Sequence, residues 1–305
     1  CQSGICGVKH GEIMEYGELI SVVIPSYNRK NKLPECIESV LGQSYDNIEV
    51  IVADDASTDG TELLFRNVKD PRVKYLRYEE NRGACYARNY GAEHAKGALL
   101  AFQDSDDTWH ADKLEKQCRR LVETGADMCY CGMNRVAANG SRFYYPVHAP
   151  RSLCALEDFL AENRASTQTM LMHRSVWAQL RFDESIRRYQ DWDFAIRAAE
   201  RFDLTYLPEA LVESEVGSDS ISAVVNSYSH LLHLYEKHRP LYEKYPQSDA
   251  VMNRRMGKRL HSADPRTAAE HFERSHRLSR SFYDLAYYIV DTFRAMPQKN
   301  KDDSK

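Results

Sequence analysis

The sequence predicts an α/β fold, with a mainly parallel sheet flanked by helices and a helical extension behind it. In the first 220 residues short apolar runs alternate with amphipathic stretches, the pattern of strand–helix–strand units. Beyond that point the apolar residues keep helical spacing. The composition agrees with a globular protein, since 43% of the 305 residues are hydrophobic and 28% are charged.

The predicted elements follow in the order β-α-β-α-β-α-β. Strands are predicted at 20–24, 48–53, 73–78 and 98–102. A helix begins near Pro34, a residue suited to a first helical turn, and a second helix covers 84–95. A further helix is predicted at 112–123. The segments 128–136 and 142–147 flank Asn139-Gly140, which indicates a hairpin and a sheet that becomes mixed.

Charge separates the two parts of the chain. Residues 221–305 contain 15 Lys and Arg against 10 Asp and Glu, a net charge of +5, which leaves −9 for residues 1–220. We therefore expect an N-terminal extension at 1–18, a catalytic-type α/β domain at 19–220, a helical extension at 221–297 and a disordered tail at 298–305.

The same counts exclude several classes of protein. A net charge of −4 is too balanced for a protein that mainly coats nucleic acid. No apolar run approaches the roughly 18 residues of a spanning helix. The sequence begins at Cys1 without a signal-peptide pattern, so we expect a cytoplasmic protein whose chain begins inside a longer reading frame. The eight cysteines lack a metal-site spacing, and Cys129 and Cys131 are expected in a buried strand.

Polar clusters follow three of the predicted strands, at 25–29, 54–60 and 103–107. Ligands of open α/β sheets bind at the carboxyl ends of the strands, so these clusters are expected to form one site. The third cluster contains Asp104, Asp106 and Asp107 within four residues. Their mutual repulsion favours a divalent cation, Mn²⁺ or Mg²⁺, and the alternative is a solvated turn that caps the next helix. The second cluster resembles the start of a calcium loop, but Arg66 stands at position 12, which excludes that reading.

Four motifs in this order closely resemble those of family 2 glycosyltransferases, which have the GT-A fold. They are Val-Val-Ile-Pro-Ser-Tyr-Asn at 22–28, Val-Ala-Asp-Asp-Ala-Ser-Thr-Asp-Gly-Thr at 52–61, Asn-Arg-Gly-Ala-Cys-Tyr-Ala-Arg-Asn-Tyr-Gly at 81–91 and Asp-Ser-Asp-Asp-Thr-Trp at 104–109. The likeness extends over about residues 19–215. It implies an inverting, metal-dependent transfer of a sugar from a nucleoside diphosphate sugar, most simply a UDP-sugar, to an acceptor hydroxyl in polysaccharide or glycoconjugate synthesis.

The resemblance also implies roles for individual residues. Pro25 and Tyr27 would belong to the donor site, where Tyr27 packs against the base and Asp55 bonds its edge. Arg88 would lie near the base or diphosphate, while Asp104 reaches the ribose and shares the metal with Asp106. Asp191, in Gln190-Asp191-Trp192, stands at the position of the catalytic base. The alternative for Asp191 is a helix N-cap.

Two alternative functions are considered for this sequence: a non-catalytic nucleotide-sugar-binding protein and a nucleotidyltransferase on a related fold. The acceptor would be a carbohydrate or a lipid-linked glycan. His173 is interpreted as a core residue, and the serine-rich segment 217–222 lacks the histidine that often precedes it in the family. The apolar stripe Phe282, Leu285, Ala286, Ile289, Val290 and Phe293 is expected to pack on the catalytic domain or a second subunit, with an anionic membrane as the alternative.

Overall fold

The computed structural model describes residues 16–137, 139–146, 155–215 and 227–296. The strands are β1 (Ile20–Ser26), β2 (Ile48–Asp54), β3 (Val73–Arg77), β4 (Leu99–Phe102), β5 (Asp107–Trp109), β6 (Met128–Val136), β7 (Arg142–Tyr145), β8 (Met170–His173) and β9 (Leu204–Glu215). The helices are α1 (Leu33–Leu41), α2 (Ala84–Glu93), α3 (Lys113–Thr124), α4 (Leu156–Ala161), α5 (Arg174–Leu180), α6 (Gln190–Arg201), α7 (Ser227–Lys237), α8 (Arg239–Lys244), α9 (Pro246–Leu260), α10 (Pro265–Ser279) and α11 (Phe282–Ala295). Short 3₁₀ helices cover Thr61–Asn67 and Thr167–Thr169.

The described strands form one mixed sheet in the order β3-β2-β1-β4-β8-β6-β9-β5, and β7 pairs with β6. The first four strands are parallel, with Ser26 opposite Asp54 and Val23 opposite Phe102. The carboxyl ends of β1, β2 and β4 therefore meet at one edge, as the sequence predicts. β8 runs antiparallel to both β4 and β6, which makes the sheet mixed at this point.

Apolar layers cover both faces of the sheet. Val23, Ile51 and Phe102 belong to one buried cluster, which also contains residues of α2 and α6. Val22, Val50 and Leu114 belong to the cluster on the opposite face, together with residues of α1 and α3. Because strands buried on both faces must be apolar throughout, the near-continuous apolar runs of β1, β2 and β4 are explained.

Helix α2 lies unusually close to the sheet because of Gly91. A Cβ at this position would clash with Cγ1 of Val23, so only glycine allows the contact. This packing fixes the height of the helix above β1. Arg88, three residues earlier on the same helix, is thereby held at the carboxyl edge of the sheet.

The helical extension is anchored to the α/β domain by polar contacts. Nε2 of His238 lies 2.9 Å from Oδ1 of the buried Asp193 in α6, and Nζ of Lys237 contacts the same oxygen at 2.6 Å. The hydroxyl of Tyr242 donates to the carbonyl of Leu160 at 2.9 Å. Burial alone would raise the pKa of Asp193, but His238 and Arg197 outweigh it and hold that pKa below its ordinary range.

Helix α11 has its acidic side inward and its apolar side outward. Asp284 and Asp291 are fully buried, and Arg254 holds Asp284 through two hydrogen bonds of 2.6 and 2.8 Å. Phe282 is 86% exposed and Phe293 is 67% exposed, while Ile289 and Val290 are nearly half exposed. The described part of the chain does not cover these four residues. The expectation that they pack on the catalytic domain is therefore wrong.

Other expectations differ in detail. β5 is absent from the prediction because it has three residues directly after the acidic cluster and pairs only with the distant β9. The third predicted strand ends one residue earlier, at Arg77, and the second helix ends at Glu93. The expected tail at 298–305, the serine-rich segment 217–222 and most of the N-terminal extension lie outside the described residues. In the described part of the chain, no helix is long and apolar enough to cross a membrane.

Candidate active site

The loops after β1 and β2 are joined by hydrogen bonds at the carboxyl edge of the sheet. The N–H of Asn28 donates to Oγ of Ser57 at 2.9 Å, and Oδ1 of Asn28 accepts from the N–H of Thr58 at 2.8 Å. Tyr27, directly before Asn28, is 47% exposed, so its ring is accessible for stacking on a ligand. Pro25 is buried inside β1, directly before this loop.

The carboxylate of Asp55 binds two backbone N–H groups, a role that the sequence does not predict. Its Oδ1 accepts from the N–H of Arg82 at 2.6 Å, and its Oδ2 accepts from the N–H of Gly83 at 2.8 Å. Gly83 has φ +88°, a value that L side chains rarely adopt. Asp55 therefore fixes the loop that begins α2, and only its remaining lone pairs are available to a ligand.

Arg88 connects the two halves of the site. It is 6% exposed, and its Nη2 donates to Oδ1 of Asp104 at 2.7 Å, while its Nη1 donates to Oε1 of Gln190 at 2.8 Å. Burial alone would lower the pKa of Arg88, but the facing carboxylate of Asp104 outweighs it and the guanidinium stays charged. Gln190 thus serves as a neutral acceptor for this arginine.

The three carboxylates after β4 have different surroundings. Asp106 is partly exposed and faces Arg29 at 3.5 Å, and burial together with the charge of Asp104 raises its pKa. Asp107 is buried, and its Oδ2 accepts from Nε2 of Gln168 at 2.7 Å. Burial, followed by repulsion from Asp104 and Asp106, raises the pKa of Asp107 well above its ordinary value. Asp104 and Asp106 therefore face the site, whereas the buried Asp107 has a structural role through its hydrogen bond with Gln168.

This pair of carboxylates fits a hard divalent cation. A cation would relieve the repulsion that raises the pKa of Asp106, and oxygen donors are the ligands that Mg²⁺ and Mn²⁺ prefer. Within residues 16–137, 139–146, 155–215 and 227–296, no group of three acidic, histidine or cysteine side chains is placed to hold a metal alone. Two carboxylates and further oxygens from a bound phosphate would complete the coordination.

A cavity of about 230 Å³ opens beside Asp106. It is lined by Lys32, Glu35, Asp106, Thr108, Val136, Arg142, Glu213 and Glu215. Oε1 of Glu213 accepts from Nδ2 of Asn134 at 2.7 Å, and Nζ of Lys32 pairs with Oε2 of Glu215 at 2.8 Å. The wall of this cavity beside Asp106 therefore consists largely of charged side chains that are paired and accessible to water.

Asp191 is the second residue of α6 and is not its N-cap. That position belongs to Tyr189, which makes no capping hydrogen bond with its side chain. Oδ2 of Asp191 accepts from Nδ2 of Asn163 at 2.9 Å. Burial raises the pKa of Asp191, and the hydrogen bond from Asn163 partly opposes this shift. A desolvated carboxylate with a raised pKa is a stronger base once ionised.

Asn163 is a site residue that sequence reasoning missed. It lies in the irregular segment between α4 and the 3₁₀ helix Thr167–Thr169, where no motif marks it. Its carbonyl accepts the hydroxyl of Tyr145, so the backbone as well as the amide is held in place. The only signal available was a single polar residue after an amphipathic helix. His173, by contrast, lies at the end of β8 opposite Leu99 and takes no part in the site.

The sequence comparisons agree with this geometry. The sequence model described as "Glycosyl transferase family 2" matches residues 21–186. The chain is 35% identical over 208 residues to the putative teichuronic acid biosynthesis glycosyltransferase TuaG of Bacillus subtilis, covering 67% of this chain and 82% of TuaG. It is 40% identical over 112 residues to WfgD of Escherichia coli, named as a UDP-Glc:alpha-D-GlcNAc-diphosphoundecaprenol beta-1,3-glucosyltransferase. That match covers 37% of this chain and 44% of WfgD.

Solved structures share the fold. The crystal structure of residues 1–349 of S. aureus TarS superposes with a TM-score of 0.61 at 18% identity, covering 89% of this chain and 88% of that one. The mannosyltransferase PcManGT of Pyrobaculum calidifontis, solved with GDP-Man and Mn²⁺, gives a TM-score of 0.63 at 20% identity, with 93% and 82% covered. The GT-A architecture expected from the sequence is thus confirmed, with its helices at the C-terminal side.

Proposed function

The chain belongs to the family 2 glycosyltransferases, and on that premise we propose an inverting, metal-dependent transfer of a sugar from a UDP-sugar to an acceptor hydroxyl. The observation that carries the proposal is the placement of Arg88, which bonds Asp104 on one side and Gln190, the neighbour of Asp191, on the other. The buried guanidinium of Arg88 thereby holds Asp104 of the donor site on one side and the segment of the proposed base Asp191 on the other.

The donor would occupy the edge formed by β1, β2 and β4. Tyr27 offers an exposed ring for the base, and Asp55, Arg88 and Asp104 supply polar contacts beside it. Support for a uridine nucleotide comes from TarS, which was crystallised with UDP and with UDP-GlcNAc, and from the UDP-Glc in the name of WfgD.

Asp104 and Asp106 would hold the divalent cation. When bound, Mn²⁺ or Mg²⁺ would offset the negative charge that develops on the departing diphosphate. Arg88 pairs with Asp104 and orients its carboxylate, and Arg29 faces Asp106. The Mn²⁺ complex of PcManGT supports a metal in this fold.

Asp191 would act as the general base. Its carboxylate takes the proton of the acceptor hydroxyl while the acceptor oxygen bonds to the anomeric carbon and the bond to the diphosphate breaks. Attack from the face opposite the leaving group inverts the configuration. The amide of Asn163 donates to Oδ2 of Asp191, and the N–H of Trp192 donates to Oδ1. These two hydrogen bonds orient the carboxylate.

The acceptor is proposed to be a carbohydrate or lipid-linked glycan, with the enzyme at the inner face of a membrane. The names of TuaG and WfgD place those relatives in teichuronic acid synthesis and on a diphosphoundecaprenol acceptor. The outward apolar face of α11, with Arg280 and Arg294 nearby, suits an anionic lipid surface.

A thermal-shift screen of nucleotide sugars with and without Mn²⁺ tests the function. A donor that binds the folded chain raises its melting temperature, and we expect the largest shift with a UDP-sugar and Mn²⁺. A shift without any slow hydrolysis of the donor would favour a non-catalytic nucleotide-sugar-binding protein. Release of pyrophosphate from a nucleoside triphosphate would favour a nucleotidyltransferase.

A further inference from the structure

A second cavity, of about 250 Å³, lies between the segment that precedes α6 and the first turns of α7. We call it the basic cavity. It is lined by Ser185, Ile186, Arg187, Arg188, Ser229, His230 and His233. It is separate from the cavity beside Asp106, with which it shares no lining residue.

The chemistry of the basic cavity suits an anion. Two guanidinium groups, two imidazoles and two hydroxyls line it, and none of its described lining residues is acidic. The nearest acidic residues in sequence have other partners: Nζ of Lys237 contacts Asp183 at 2.6 Å, and Nδ2 of Asn89 donates to Glu184 at 3.2 Å. Arginine presents a planar set of donors that matches phosphate oxygens, so a phosphate group is the best-fitting ligand.

The basic cavity adjoins the base side of the active site. Nε2 of Gln190 donates to the carbonyl of Arg187 at 3.3 Å, and Oε1 of the same glutamine accepts from Arg88 at 2.8 Å. Arg187 precedes Asp191 by four residues. A group held in the basic cavity would therefore lie on the side of Asp191, whereas Asp104 and Asp106 lie beyond Arg88.

We propose that the basic cavity binds the phosphate or diphosphate of a phosphorylated acceptor, an inference that rests on the proposed glycosyl transfer. In an inverting reaction the donor's diphosphate leaves from the face of the sugar opposite the base. An anion site on the side of the base therefore suits the acceptor and not the donor. The class of substrate is a glycan joined through phosphate to a lipid or to a further sugar.

Calorimetric titration of the UDP- and Mg²⁺-saturated chain tests this assignment. The probes are GlcNAc 1-phosphate, geranyl phosphate and free GlcNAc, which separate a sugar-linked phosphate, a lipid-linked phosphate and a neutral sugar. We expect both phosphorylated probes to bind once per chain, and free GlcNAc to bind far more weakly. The tighter of the two phosphorylated probes identifies which side of the phosphate the protein recognises.

The double variant Arg187→Gln/His233→Gln should weaken both phosphorylated probes by about 10-fold or more, because charge-assisted hydrogen bonds are lost. Arg187→Lys should lose less. Arg119→Gln, which removes an exposed arginine of α3 paired with Glu115, should change nothing. Unchanged probe affinity in the double variant, or competition of the probes with UDP, overturns the proposal. If UDP itself fails to bind, the proposed function fails, and the same titration of the nucleotide-free chain still decides the anion site.

Discussion

The amide of Asn163 donates a 2.9 Å hydrogen bond to Asp191, the residue proposed as the base. Burial raises the pKa of Asp191 and this hydrogen bond lowers it. Asn163→Ala should therefore raise the pKa further and move the acid limb of the rate–pH profile to higher pH. We expect turnover to fall with little change in the KM for the donor. Asn47→Ala, which removes an exposed amide bonded to Gly17, is the control, and an unmoved profile would contradict the positioning role.

Asp191→Asn separates chemistry from donor binding. It keeps the side-chain shape but removes the base, so turnover should fall by about 10²- to 10⁴-fold while UDP affinity changes little. Because the folded-state pKa of Asp191 is raised, its ionisation costs stability as pH rises through that pKa. The variant should therefore melt no lower than the native chain at pH 7. Normal turnover, or a product with the donor's anomeric configuration, would refute the mechanism.

Asp106→Ala should abolish metal-dependent donor binding and turnover. Burial and the charge of Asp104 raise the pKa of Asp106, so removal of this carboxylate should cost little stability without metal. Donor binding measured with Mn²⁺ and with excess EDTA checks the effect, and Asp112→Ala, on the surface of the same domain, serves as the control. Full activity of the native enzyme in EDTA would show that the cation is not needed.

Asp55→Ala should destabilise the fold, because two backbone N–H groups at the start of α2 lose their acceptor. We expect a loss of about 1–3 kcal/mol in the free energy of unfolding, and less for Asp55→Asn, which keeps one acceptor oxygen. Chemical denaturation gives both values. If Asp55 also contacts the donor base, the asparagine variant weakens UDP binding as well. Lowered stability with native UDP affinity would leave Asp55 with a structural role alone, and unchanged stability of the alanine variant would contradict the structural role.

The apolar face of α11 should bind anionic vesicles. Phe282→Ser/Phe293→Ser should reduce co-sedimentation with such vesicles and leave the melting temperature unchanged, because both rings are exposed. Val122→Ser, at a partly exposed position of α3, is the matched control. If the double variant instead changes the mass of the particle in solution, the face joins two copies of the chain.

The donor half of the molecule was predictable because local patterns determine it. The apolar runs of β1, β2 and β4 and the polar residues after them place Tyr27, Asp55 and Asp106 at one edge without knowledge of any distant contact. β5 and Asn163 depend on long-range partners, respectively β9 and Asp191, that no local pattern reveals. The inward carboxylates of α11 were missed for a similar reason: their partners Arg254 and His261 lie on another helix and its end.

The division of the site along the chain has a consequence for recombination. The proposed donor residues all lie between Pro25 and Asp106, whereas Asn163, Asp191 and the basic cavity come after β6. The halves meet through two backbone ladders, β4 with β8 and β5 with β9, which tolerate changes of side chain. They also meet through side-chain contacts such as those of Arg88 with Gln190 and of Asp107 with Gln168. A chimera joined at Gly125, where α3 ends in a left-handed turn, should therefore keep one parent's sugar donor and take the other parent's acceptor preference.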